Sequence, residues 1–163
     1  MNRLSIMATL LACVLAGCVS TQPTTLPAGR HEGDKPLRLG NFSVSLAVKD
    51  LAASRAFYEK LGFRGVGGDG VRWLILQNPT CTIGLFQGMF DKNILTFNPG
   101  WDRSSTTLPD YEDVRDIQRT LKGRWLVPTA AADESSTGPA SMVLTDPDGN
   151  PILIDQHVPK PRK

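Results

Sequence analysis

The sequence predicts an α+β fold: two β-α-β-β-β modules pairing into one domain with a curved, half-open sheet cleft. Three observations predict it. FSVSLAVKD (42–50) alternates, with Val44, Leu46 and Val48 on one side and Ser43, Ser45 and Ala47 on the other, as a strand does when one face meets a core. A segment with helical period follows at once. The same strand-then-helix order returns in the second half, at NILTFNP (93–99) and LPDYEDVRDIQRTLKG (108–123), as a repeat without obvious identity.

Each element has its own signal. Asp50 is a helix cap, and LAASRAFYEKLG carries Leu51, Ser54, Phe57 (with Tyr58) and Leu61 at helical spacing before Gly62 stops it. FRGV is a short strand and GVGGDG (65–70) a flexible turn. That glycine run lacks the Lys-Ser/Thr tail and following helix of a phosphate-binding loop. VRWLILQN and CTIGLF, from 71 and 81, form a strand pair around Asn78-Pro79. In the helix expected over 108–123, Val114, Ile117 and Leu121 make one stripe. Asp110, Glu112 and Asp113 in the first turn and Lys122 at the end suit the macrodipole. Strands are then expected near 124–127, 139–145 and 151–157, the last entered through the turn DPDGN. The three tryptophans divide: Trp73 and Trp125 are expected to pack in the core, and Trp101 to emerge at a strand end over the cleft.

The chain has 163 residues, 40% hydrophobic and 21% charged, with a formal charge of +2 and no basic stripe. That composition fits one domain and excludes a nucleic-acid binder on electrostatic grounds. The N-terminus is different in kind. Arg3 precedes the uncharged run LSIMATLLACVLAG, too short and lightly flanked for a membrane span, and the run ends in Leu15-Ala16-Gly17-Cys18. This ending resembles the lipobox of a bacterial lipoprotein. The resemblance implies a signal peptide over 1–17, acylation of Cys18, export, and a lipid anchor in a bacterial membrane. Val19 after the cysteine resembles the pattern of outer-membrane sorting, facing the periplasm where the host has two membranes. A non-lipidated secretory peptide and an unprocessed apolar tail are the alternatives. Residues 18–39, with His31, form a linker without apolar period. The folded domain is expected over 40–158, in modules of about 41–90 and 91–157, with a basic tail at 159–163. With Cys13 and Cys18 assigned to the leader and the lipid, Cys81 is left without a disulfide partner and is expected as a small buried hydrophobe.

SLAVKDLAASRAFYEKLGF and DPDGNPILI resemble the opening strand–helix and the closing turn–strand of the vicinal oxygen chelate superfamily, the group of glyoxalases, bleomycin-resistance proteins and extradiol dioxygenases. The resemblance spans roughly 41 to 157 and implies four metal ligands, usually His and Glu, from the first and last strands of each module. The matching residues here are Ser43, Gly84, Asn93 and Leu153. None is an imidazole, thiolate or carboxylate, which is what Zn, Fe, Ni, Mg or Mn requires. A shift of one position brings only Ile83, Leu85, Lys92 or Ile94. No metal and no other cofactor is therefore expected at this place.

Strand alternation then expects a pocket lined by Ser43, Ser45, Ala47, Thr82, Gly84, Phe86, Asn93, Leu95, Phe97, Trp101 and Leu153, with Asp155 at the rim. Small residues leave volume at the centre; a second core filled by Phe86 and Phe97 is the alternative. Tyr58, Arg72, Asp102, Asp155 and His157 are the acid–base candidates, and no spacing ties them into a triad. The expected function is binding of a small apolar or aromatic molecule, or a protein interaction, by a metal-free anchored protein. A divergent metal-dependent lyase or dioxygenase is the alternative. The sequence does not fix an oligomeric state.

Overall fold

The computed structural model describes residues 35–162. The expected signal peptide, Cys18, His31 and most of the linker lie outside the described residues. Residues 36–162 form one compact unit, and within it a single seven-stranded mixed sheet carries two helices, an α+β arrangement.

The strands are β1 (Asn41–Val48), β2 (Arg64–Gly68), β3 (Trp73–Gln77), β4 (Thr82–Gln87), β5 (Ile94–Asn98), β6 (Ala140–Thr145) and β7 (Pro151–Gln156), in the spatial order β2-β3-β4-β1-β5-β7-β6. In each half the opening strand pairs in parallel with the closing one, β1 with β4 and β5 with β7. The halves meet through antiparallel pairing of β1 with β5, which sets Ser45 opposite Ile94, Ser43 opposite Thr96 and Asn41 opposite Asn98.

Residues directly opposite in a ladder point to the same face, so this register divides the whole sheet. Val44, Leu46, Leu74, Leu76, Ile83, Leu85, Leu95, Phe97, Met142, Ile152 and Ile154 share one face. Both helices cover it: α1 (Leu51–Lys60) packs on β4, and α2 (Val114–Gly123) on β6 and β7. Two cores result. Leu51, Phe63, Leu74, Leu76 and Leu85 fill the first; Val114, Ile117, Leu121, Ala132, Met142 and Ile154 fill the second.

Helix α1 begins as expected, with the Asp50 carboxylate accepting from the Ala53 amide at 2.9 Å. Its packing differs from the expected stripe. Leu51 is buried and Tyr58 meets Phe63 edge-on, but Phe57 and Leu61 face solvent. Helix α2 starts at Val114 rather than 108. Asp113 is its cap, while Asp110 and Glu112 are engaged by Arg38, in the approach to β1. The expected stripe Val114, Ile117, Leu121 is buried. Cys81 is exposed, correcting its expected burial: it sits in the turn where Asn78 accepts from the Thr80 and Cys81 amides.

The second module is β-α-β-β. No strand forms at 124–127, because the amides there are spent on the helix end: Arg124 and Leu126 bond to Leu121, and Trp125 to Lys122. Trp125 takes a left-handed conformation (φ 63°) and is 92% exposed, against the expected core placement. The chain rejoins the sheet only as a bridge from Ala130 to Val143.

Side chains of α2 hold the segment that a strand would have held. The fully buried Arg115 guanidinium donates to the Asp133 and Gly138 carbonyls, to Ser136 and to Asp113. Gln118 exchanges two bonds with the backbone of Ala132, and Gln156 of β7 ties Asp113 to the Val114 amide. Among the described residues no buried side-chain nitrogen or oxygen is left without a partner. Burial pushes the Asp113 carboxyl up, but the Gln156 hydrogen bond, the Arg115 amide and the Arg115 guanidinium together hold it below the usual range.

Arg115→Leu strands the Asp113 charge inside the protein, and urea unfolding at pH 7 is expected to show a loss of about 3–5 kcal/mol. Because the carboxyl pKa is depressed on folding, its contribution is present above the ordinary carboxylate value. It fades as pH falls towards the folded value. The gap between Arg115→Leu and the parent chain at pH 7 is therefore expected to narrow when unfolding is repeated in acid.

Candidate functional site

The uncovered face of the sheet forms a cleft of ≈ 640 Å³. Its lining runs from Val66 and Gly67 on β2 to Leu153 and Asp155 on β7, so the sheet curls around it. This volume falls within the roughly 300–1,000 Å³ usual for small-molecule sites.

One end is aromatic. The rings of Trp73 and Phe86 lie parallel, interplanar angle 8° and centroids 6.4 Å apart, and Phe90 tilts against Phe86 at 5.2 Å. Strand β3 reaches this position from a turn in which the Asp69 carboxylate accepts from the amides of Val71, Arg72 and Trp73. Those bonds, Trp73 first, hold its pKa below the usual range.

The floor is polar, and several of its groups bond one another or the strands beside them. Ser45 and Thr96, both buried, share a hydroxyl–hydroxyl bond of 2.9 Å across the β1–β5 junction. Thr82 accepts from Gln77, and the Asn98 side chain donates to the Asp155 carbonyl. Gly84 lies between Ser45 and Ile75 on this face. A Cβ there would stand 2.4 Å from Phe86 Cε2, so the missing side chain is what lets the ring lie flat over the floor.

The other end holds Trp101, Asp155 and His157. Trp101 follows a tight turn at Gly100, where φ is +86° and a Cβ would meet Val158 Cγ2 at 2.4 Å. The Trp101 ring stacks on the His157 imidazole at 4.2 Å and 11°. His157 Nε2 is 3.2 Å from Asp155 Oδ2. Strand β7 is delivered by the DPDGN turn, in which the Asn150 side chain and amide and the Asp148 amide bond the Asp146 carboxylate and lower its pKa.

Of the residues expected in the pocket, Ser43, Ser45, Thr82, Phe86, Trp101, Leu153 and Asp155 line the cleft, and Gly84 lies beneath Phe86. Asn93, Leu95 and Phe97 do not line it. Antiparallel pairing with β1 turns Ile94, Thr96 and Asn98 inward, so Phe97 packs into the α2 core and Leu95 reaches the opposite face. Asn93 instead accepts from the Ala47 amide, and both belong to a shallow groove beside α1. Val66, Trp73, Ile75, Met89, Phe90 and His157 were not among the expected lining. Trp73 and Ile75 had a signal in the alternation of VRWLILQ, whose Leu74 and Leu76 go to the core.

The metal centre implied by the resemblance does not fit this chemistry. Ser43, Gly84 and Leu153 on the cleft face supply no imidazole, thiolate or carboxylate, and Asn93 is turned away with Ile94 facing inward in its place. Asp155 and His157 are paired with each other at one end, and among the described residues no group of three His, Cys, Asp or Glu side chains could hold an ion.

No family model matches the sequence, and no curated protein matches it. Solved structures do. The chain superposes on the NAD-dependent benzaldehyde dehydrogenase from Legionella pneumophila with a TM-score of 0.53 and 19% identity, over 71% of this chain and 98% of that one. A glyoxalase/bleomycin resistance protein/dioxygenase superfamily member from Vibrio splendidus 12B01 gives 0.49 and 11%, over 71% and 97%. The Mn(II)-bound glyoxalase from Novosphingobium aromaticivorans gives 0.45 and 13%, over 76% of this chain and 40% of that one. At these identities the likeness concerns the fold alone.

Gly84→Ala forces the Phe86 ring off the floor and into the cleft. The expected cost is about 1 kcal/mol, a fall in Tm of roughly 3–6 °C, with the chain still folded. Thermal unfolding by circular dichroism measures the first, and a crystal structure of the variant shows the ring displaced.

Proposed function

We propose that this chain is a membrane-anchored binding protein whose cleft takes a small, flat, largely apolar or aromatic molecule without help from a metal ion. The observation that carries the reading is the cleft itself: ≈ 640 Å³ with Trp73, Phe86 and Phe90 along one end and a hydroxyl floor beneath. Stacked rings favour a planar partner, and offset stacking adds about 0.5–1.5 kcal/mol per aromatic pair beyond the area it buries. Floor hydroxyls that already bond each other present few unmet polar demands, so an apolar body covers them at low cost.

Trp73 and Trp101 both line the cleft and make its occupancy visible in fluorescence. Titration of the full-length chain with 2-naphthol, a neutral planar aromatic, is expected to give saturable one-to-one quenching that a chelator leaves unchanged. Phe86→Ala is expected to weaken it about tenfold. Absence of saturable binding, or its loss on chelation, sinks the reading.

The anchor rests on Leu15-Ala16-Gly17-Cys18 at the end of the apolar run. Intact mass of the protein recovered from a bacterial membrane is expected to begin at Cys18 and to carry at least two acyl chains, the number that stable anchoring requires. Cys18→Ser is expected to abolish the acylated form and its partition into detergent. A mass that retains residues 1–17, or carries no lipid, overturns it.

A further inference from the structure

We propose that Asp155 makes the far end of the cleft a cation subsite, so that the preferred ligand is a flat aromatic body bearing a positively charged nitrogen. The inference rests on the cleft reading above and adds the ligand's charge and orientation.

Asp155 and His157 are the ionisable side chains among the residues lining the cleft. Of the two, Asp155 is the acidic one. Its side chain is 31% exposed, and His157 Nε2 lies 3.2 Å from its Oδ2. A half-buried carboxylate contacted at one oxygen keeps acceptor capacity at the other for a charged donor.

The charges that follow Trp101 in the chain do not compete. Asp102 is turned to the Ser104 and Thr106 amides and Arg103 to the Pro79 carbonyl, and neither lines the cleft. Trp101 adds a ring at the same end, held against the imidazole by stacking. Indole is the aromatic most favourable to a nearby cation. A ligand is thereby oriented, with its ring system towards Trp73, Phe86 and Phe90 and its ammonium nitrogen towards Asp155 and Trp101.

The test uses the full-length chain and naphthalene probes alike except in charge: 1-naphthylmethylammonium, 1-naphthylmethanol and 1-naphthoate, titrated calorimetrically at pH 8. The ammonium is expected to bind about tenfold tighter than the alcohol, as a charged hydrogen bond to a part-buried carboxylate provides, and the carboxylate weakest. In Asp155→Asn the ratio of ammonium to carboxylate affinity is expected to collapse to within about twofold. Should that variant not fold, salt decides on the parent chain: ammonium binding weakens with ionic strength while alcohol binding does not. If the alcohol binds and the charge order is absent, or survives Asp155→Asn, the cation subsite is wrong and the cleft reading stands. If none of the probes binds, both fall.

Discussion

The antiparallel junction of β1 with β5 decides what every other strand presents to the cleft. Side-chain direction alternates along a strand, so a slip of one residue at this junction would exchange the two faces of a whole module. The observed register sets Ser43 against Thr96 and Ser45 against Ile94. It puts the polar residues of both strands on one side, where Ser45 and Thr96 bond each other. It also puts Phe42, Val44, Leu95 and Phe97 on the other, with Phe42 resting on Phe97 at 5.1 Å. From there the parallel pairings carry the division outwards, through Gly84 and Phe86 on one flank and Leu153 and Asp155 on the other. Helices on one face and an open cleft on the opposite face follow from that single registration.

The two halves reach similar sheets by different means. In the first, hydrophobic side chains of β3 and β4 pack against α1 and the hairpin closes around Asn78. In the second, the segment after α2 does not form a ladder, and buried side chains of the helix bond its backbone instead. Arg115 takes the carbonyls of Asp133 and Gly138; Gln118 takes both polar groups of Ala132. A buried guanidinium is costly unless its donors are met, and here Asp113, Ser136 and two carbonyls meet them. Glu134 joins the same corner, where bonds from Lys122 and Gln118 lower its pKa to about 2. Polar satisfaction does at this edge what strand pairing does at the other.

The sequence made legible what local period and turn chemistry encode. Val44, Leu46 and Val48 against Ser43 and Ser45, the Asp50 cap, and the stripe Val114, Ile117, Leu121 are local signals, and they place the elements that frame the cleft. What was not legible depends on partners distant in the chain. In ILTFN the apolar residues Leu95 and Phe97 invite a place in an apolar pocket. Only the pairing with β1 reveals that the polar Thr96 and Asn98 face it, and the match to Ser43 and Ser45 was the available clue. RWLV reads as a strand until the amides of 124–126 are found bonded to the end of α2. The stack of His157 on Trp101 joins residues far apart in sequence and has no local signal at all.

Where the chemistry sits within the cleft constrains what the cleft can do. Its centre is built from small, hydroxyl and aliphatic side chains, which leave room over the β1–β5 junction. The acid–base pair of the cleft, Asp155 with His157, stands at one end, where the Oδ2–Nε2 contact and the Trp101 stack hold it. Proton transfer demands a reacting atom within hydrogen-bond reach of the base, about 2.6–3.2 Å. A body resting on Trp73 and Phe86 places its ring system at the opposite end, away from that pair. The placement of rings and charge therefore recommends one division: the aromatic end holds, and the charged end orients.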